Sequence, residues 1–201
     1  MGIISSLLAG AVVASAPATP LPWFDLNDYP VKAFAREWQG VTTFAVIVAP
    51  DGRAADCKIV KSSGYDVLDR QACFVALKRA KFTAATGADG QRAYGVYRSQ
   101  VVWARPDRPA VQRELGPDLE ISLNQLPAGT TGPGVKLAFY VDAAGNPSAC
   151  TVLPDSAAQP RQLVDVACTA LFSQLAREPV TARGTAVAAV RTAAVKVTAP
   201  K

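Results

Sequence analysis

Two stretches of the chain repeat one another, and this limits the fold more than anything else in the sequence. Val48 matches Val141, Gly52 matches Gly145 and Cys57 matches Cys150, each pair 93 positions apart. Leu68, Ala72 and Cys73 match Leu163, Ala167 and Cys168, now 95 positions apart, so the intervening loop is two residues longer in the second copy. One local pattern recurring in order, with one small gap, reads as a tandem duplication of a unit of about 75 residues. The 201 residues then divide into two small domains rather than one large one.

Each unit has the same plan. A strand comes first, Val41–Val48 or Val135–Val141, rich in β-branched and aromatic residues. A turn follows at Asp51-Gly52 or Gly145-Asn146, where glycine supplies positive φ. A second strand, Ala55–Lys61 or Ser148–Leu153, carries the first cysteine. The polar loops Ser62–Tyr65 and Pro154–Pro160 lead into a helix. In the first unit Asp66 is the expected N-cap, and Asp69 adds a carboxylate in the first turn. Leu68, Ala72, Val75, Ala76 and Ala80 recur at helical spacing, as do Leu163, Ala167, Ala170, Leu171 and Leu175. A long strand closes each unit, Ala93–Ala104 or Thr185–Val197. The fold class is α+β: two tandem β-β-α-β units, each a helix packed on a small antiparallel sheet. The expected division is 1–16 signal peptide, 17–28 N-terminal segment, 29–105 first unit, 106–134 linker and 135–201 second unit. Within the linker, Leu119–Leu126 alternates apolar and polar and is expected to add a strand to the second unit.

The repeat also sorts the cysteines. Four allow three connectivities, and a copied unit carries its own bridge, which selects Cys57–Cys73 and Cys150–Cys168. Each would staple a helix to the strand beneath it, worth roughly 3 kcal/mol by chain entropy. None lies in the paired spacing that all-cysteine zinc sites use. Histidine is absent, which removes Ser-His-Asp and Cys-His hydrolysis and His-ligated metals. Ser62-Ser63-Gly64 is neither a nucleophile elbow nor a phosphate loop. No catalytic residue, metal or cofactor is expected, and the reading is a non-enzyme.

The N-terminus carries an apolar run over residues 3–14, ending in Ala14-Ser15-Ala16. The run is too short to span a bilayer but suits a secretory signal with a small-x-small cleavage site. The even cysteine count agrees with export.

Tyr29-Pro30, the Asp51-Gly52 turn, Val60-Lys61-Ser62-Ser63-Gly64, Leu68-Asp69 and Ala80-Lys81-Phe82 form an ordered series. On these residues the first unit resembles the C-terminal domain of the TonB family. The second keeps the turn glycine, the leucine and both cysteines, and resembles a degenerate copy. The resemblance implies a two-layer fold in the periplasm of a Gram-negative cell. It also implies pairing between a strand edge and a short peptide of an outer-membrane transporter. The family's transducer has a membrane helix with a functional histidine and a long proline-rich spacer. This chain shows neither, so binding is expected without coupling of its own to a proton motor.

A strand edge offers unpaired N–H and C=O groups to an extended peptide. By resemblance the pairing strand is Tyr94–Trp103, with Tyr94, Val96, Tyr97, Arg98, Gln100 and Val102 as candidate contacts. Read from the residues alone, the same strand is also an ordinary central strand or a dimer-forming one. Tyr29 and Pro30 are either a rigid lead-in to the first helix or part of a peptide groove. Residues 29–105 carry net charge +6, which suits an acidic partner or an envelope surface. The expected partner is a protein or peptide, not nucleic acid, with contact at the membrane periphery at most. The alternative is a self-associating structural module in which the long last strands form a homodimer.

Overall fold

The computed structural model describes residues 11–18, 23–107, 115–174 and 178–199. In chain order the elements begin with β1 (Ala16–Pro17), α1 (Val31–Ala35), β2 (Gly40–Val48), β3 (Ala54–Lys61) and α2 (Asp66–Arg79). There follow β4 (Phe82–Thr83), β5 (Ala85–Thr86), β6 (Arg92–Trp103), β7 (Leu119–Ser122), β8 (Gly134–Val141) and β9 (Pro147–Val152). The chain ends with α3 (Arg161–Gln174), β10 (Val180–Ala182), β11 (Thr185–Val187) and β12 (Ala189–Thr198). Mixed helix and sheet make this an α+β protein.

The main sheet runs β3-β2-β6-β12-β8-β9, with β7 added beside β12. The order is a palindrome. In each half the first strand lies between the second and the last, and the two last strands meet in the middle. Apart from β7, which runs parallel to β12, all pairings within a half are antiparallel, while β6 and β12 run parallel and pair only at Ala189↔Tyr94 and Val190↔Gly95. One sheet therefore continues across both units.

The helices sit on opposite faces of this sheet. Leu68, Ala72 and Ala76 of α2 pack on Phe44, Val46 and Val48 of β2 and on Val101 and Trp103 of β6. Leu163, Ala167 and Leu171 of α3 pack on Leu137, Phe139 and Val141 of β8 and on Ala193, Val195 and Val197 of β12. Side chains alternate along a strand. The parallel register at Ala189↔Tyr94 therefore puts the odd residues of β12 on the face of the even residues of β6. That is the face away from α2. A half-turn about an axis along the strands, between β6 and β12, produces this arrangement.

Hairpin β10–β11 crosses from the second half to cover the first. Val180 and Ala182 pack on Ile47 and Ala189, and Lys58 donates to Thr181 Oγ1 at 2.5 Å. This explains why β2 is buried from Thr42 to Val48 without alternation. It is covered on both faces, and strands so placed read as continuous apolar runs.

Three expectations change. The N-cap of α2 is Tyr65, whose side chain makes no cap bond; Asp66 is the first helical residue and pairs with Arg70. Asp69 lies in the first turn as expected, and it is buried. Thr185–Val197 is not one strand: it breaks at Ala188 into β11 and β12, and β11 pairs back on β10 across the turn at Arg183 (φ +50°) and Gly184 (φ +83°). The linker strand is Leu119–Ser122, shorter than Leu119–Leu126, and it runs parallel to Val195–Thr198. Of the stripe expected on α3, Leu163, Ala167 and Leu171 are buried, and Leu175 lies outside the described residues. Residues 1–10 of the expected signal segment also lie outside them. Among the described residues no helix is long and apolar enough to cross a membrane.

Candidate functional site

The strand that the sequence singles out, β6, has two different edges. One is fully paired with β2, from Gly40↔Trp103 to Val48↔Gly95. The N-terminal end of β6 pairs with β5 at Arg92 and Ala93, and the other edge pairs with β12 at Tyr94 and Gly95. Beyond Gly95, from Val96 to Trp103, no strand among the described residues pairs with it.

Asp118 holds the two last strands apart. Its backbone N–H donates to Ala194 O at 2.8 Å, and its Oδ2 accepts from Ala194 N at 2.8 Å. Its Oδ1 pairs with Arg98 Nη1. After Asp118, β7 takes over the edge of β12. The two halves thus share two residue pairs and then splay.

A cavity of about 400 Å³ opens at the splay, on the face away from α2. Its floor is apolar, with Ala45, Ile47 and Val96. Lys58, Arg98 and Arg191 stand on its walls with Asp118 and Glu178. Burial pulls the pKa of Arg98 and of Arg191 below the usual guanidinium range, so both charges are only partly hydrated. The Arg191 guanidinium lies 5.6 Å from the Phe139 ring centre. Partly desolvated cations over an apolar floor favour an acidic or carboxylate-bearing side chain.

The candidate residues do not all gather here. Tyr94, Val96, Arg98, Gln100 and Val102 share the face away from α2 by strand alternation. Tyr97 faces α2, its ring tilted against Trp23 and Phe82 with ring centres 5.8 and 5.3 Å away. Burial raises its phenol pKa. Tyr29 lies in the same α2-side core against Phe34 and Trp103, and its hydroxyl donates to Trp38 O at 2.5 Å. Pro30 is the N-cap of α1. Tyr29 and Pro30 thus lie on the face opposite Arg98. Asp118, Arg191 and Glu178 escaped the sequence reading. They are single charges far apart in the chain, and only the meeting of β6 and β12 assembles them.

Ser62-Ser63-Gly64 is a turn locked to the helix start. The Asp69 carboxylate accepts from Thr42 Oγ1 at 2.8 Å, Ser62 Oγ at 2.5 Å and Ser63 N at 2.9 Å. Trp103 Nε1 donates to Thr42 Oγ1 at 3.0 Å, tying the end of β6 into the same network. Burial works against the charge on Asp69, but these donors outweigh it and hold the carboxyl below its usual range.

The cysteines pair as Cys57–Cys73 and Cys150–Cys168, with Cα–Cα distances of 5.5 and 6.1 Å. Each joins the second strand of its half to the helix above. Among the described residues no cluster of metal-ligating side chains occurs.

The first half is a helix pinned by a disulfide to a three-stranded antiparallel sheet, and beyond Gly95 one edge of its last strand is paired by no strand among the described residues. Residues 26–103 match the family described as Gram-negative bacterial TonB protein C-terminal, which supports a TonB C-terminal domain over that stretch. That family is a protein-interacting, non-enzymatic one of the Gram-negative periplasm. The match ends at Trp103 and does not reach the second half. Searches of curated proteins and of solved structures found no match to the chain.

Proposed function

We propose that the chain is an exported, periplasmic, non-enzymatic binding protein. It takes an extended peptide from an outer-membrane transporter or another envelope protein by strand addition along Val96–Trp103 of β6. The observation that carries this reading is the splay of β6 from β12 in a domain of a protein-interacting family. Main-chain bonds would supply affinity, and the cavity beside Arg98 would select an acidic side chain. The second half, read as a degenerate copy, would shape that cavity rather than bind on its own account.

The test is an NMR titration of the oxidised protein with N-terminal plug peptides of outer-membrane transporters. Shifts are expected at Val96–Trp103 and around Asp118. Arg98→Gln should weaken an acidic peptide about tenfold. An absence of shifts at millimolar peptide, with the first half folded, would overturn the reading. So would a tight dimer, seen by sedimentation over a concentration series, that closes the same edge. That second outcome would favour the self-associating module.

A further inference from the structure

A second strand-accepting groove lies at the seam between the halves, on the face opposite the cavity, and the chain fills it with its own residues Val12–Ala18. The segment runs along the β4–β5 edge as an added strand. Val13 N donates to Thr86 O, and Thr86 N donates to Val13 O, both at 2.9 Å. Ala16 and Pro17 pair with Thr83 and Phe82, and Ala18 N donates to Lys81 O at 2.8 Å. The second half joins in, since Thr151 Oγ1 donates to Val12 O at 3.1 Å.

Side chains fit this groove unevenly. Val12 is 4% exposed, enclosed by Ala85 and by Ala138 and Val190 of the second half. Its neighbour Val13 is 53% exposed. Ser15 is buried against Gly95, where a Cβ would come within 2.0 Å of Ser15 Oγ. Ala85, Ala138 and Val190 enclose the first position and Gly95 the second, so the groove admits an extended backbone with one aliphatic anchor and, three residues on, a small side chain. Ser15 is an imperfect occupant, because its buried Oγ has no hydrogen-bond partner among the described residues. Alanine there would leave nothing unsatisfied.

From this geometry we infer that the seam groove is an exchangeable peptide site. Its ligand class is an extended peptide of pattern aliphatic-x-x-small, held in cis by Val12–Ala18 and replaceable in trans. The Ala14-Ser15-Ala16 sequence expected as a signal-peptidase site lies inside the groove, so a cut after Ala16 would remove the Val12 anchor and vacate it. The inference concerns a different edge from β6 and stands independently of the proposed function.

The test uses the full chain, oxidised, with a specific protease recognition sequence replacing residues 19–22. After cleavage, a fluorescent peptide of residues 11–18 is titrated and its anisotropy followed. It is expected to exchange with the released fragment. A Ser15→Ala peptide should bind about fivefold tighter, and a Val12→Asp peptide should not bind. Gly95→Val in the protein should abolish binding, with near-UV circular dichroism reporting whether that variant folds. The peptide variants decide the matter if it does not. The inference is overturned if no labelled peptide binds at millimolar concentration while the cleaved protein stays folded. It is equally overturned by a fragment that never exchanges, or by Val12→Asp binding as well as the native sequence.

Discussion

Asp69 receives three hydrogen bonds from two separate segments, at Thr42 and at Ser62 and Ser63. It holds the second strand's exit, the helix start and, through Thr42, the indole of Trp103 at the end of β6. Because its folded pKa is depressed, its contribution is present above the unfolded carboxyl value, about 4. That contribution is lost as pH falls through the lower folded value. Asp69→Asn keeps the shape but loses the charge, and turns one acceptor into a donor facing donors. It should cost about 1–3 kcal/mol at neutral pH. Urea titrations at pH 7 and at pH 3 would read this, and the difference between variant and wild type should shrink at the lower pH. A pH-independent difference would remove the charge from the explanation.

The two helices are held with unequal strength, although their bridges close similar spans of 16 and 18 residues. Chain entropy gives each bridge about 3 kcal/mol. Helix α2 buries Leu68, Ala72, Val75 and Ala76 and has the Asp69 network besides, whereas α3 buries Leu163, Ala167 and Leu171. Replacing Cys150 and Cys168 by alanine should therefore loosen α3 more than the Cys57 and Cys73 pair loosens α2. Amide exchange would show α3 protection falling further than α2 protection. Equal losses would mean the bridges, not the apolar stripes, set local stability.

Joining the halves falls to few residues. Two parallel pairs connect β6 to β12, and the clusters around Ala189 and Val190 fill either face of the seam. Ala189 is fully buried against Ile47, Val180 and Ala182. Ala189→Asp places a carboxylate there without a partner and should cost about 3 kcal/mol or more. Each half keeps its own core and disulfide, so calorimetry should resolve two transitions in the variant against one in the wild type. A single unshifted transition would show that the seam does not couple the halves.

Much of this architecture is legible in the chain. The repeated Val-Gly-Cys spacing predicted two β-β-α-β units, and the apolar stripes predicted which helix face meets which sheet. Those signals are local, because strand alternation, helical spacing and turn glycines are properties of neighbouring residues. The N-cap at Tyr65 was missed because Asp66 is the better capping residue by type, and the inward pull on Asp69 comes from Thr42, distant in sequence. Strand β11 hid inside the run Thr185–Val197, whose break is the ordinary-looking Ala188. What the sequence by itself determined is the unit and its internal wiring. Tertiary structure alone decided that the units share one sheet and splay at Asp118 to open a charged cavity. It likewise decided that Val12–Ala18 lies in a groove lined by both halves. Two residue pairs of parallel strand and a handful of alanines and single charges carry those outcomes. Such contacts have no period to read, and their energy exists only once the halves have met.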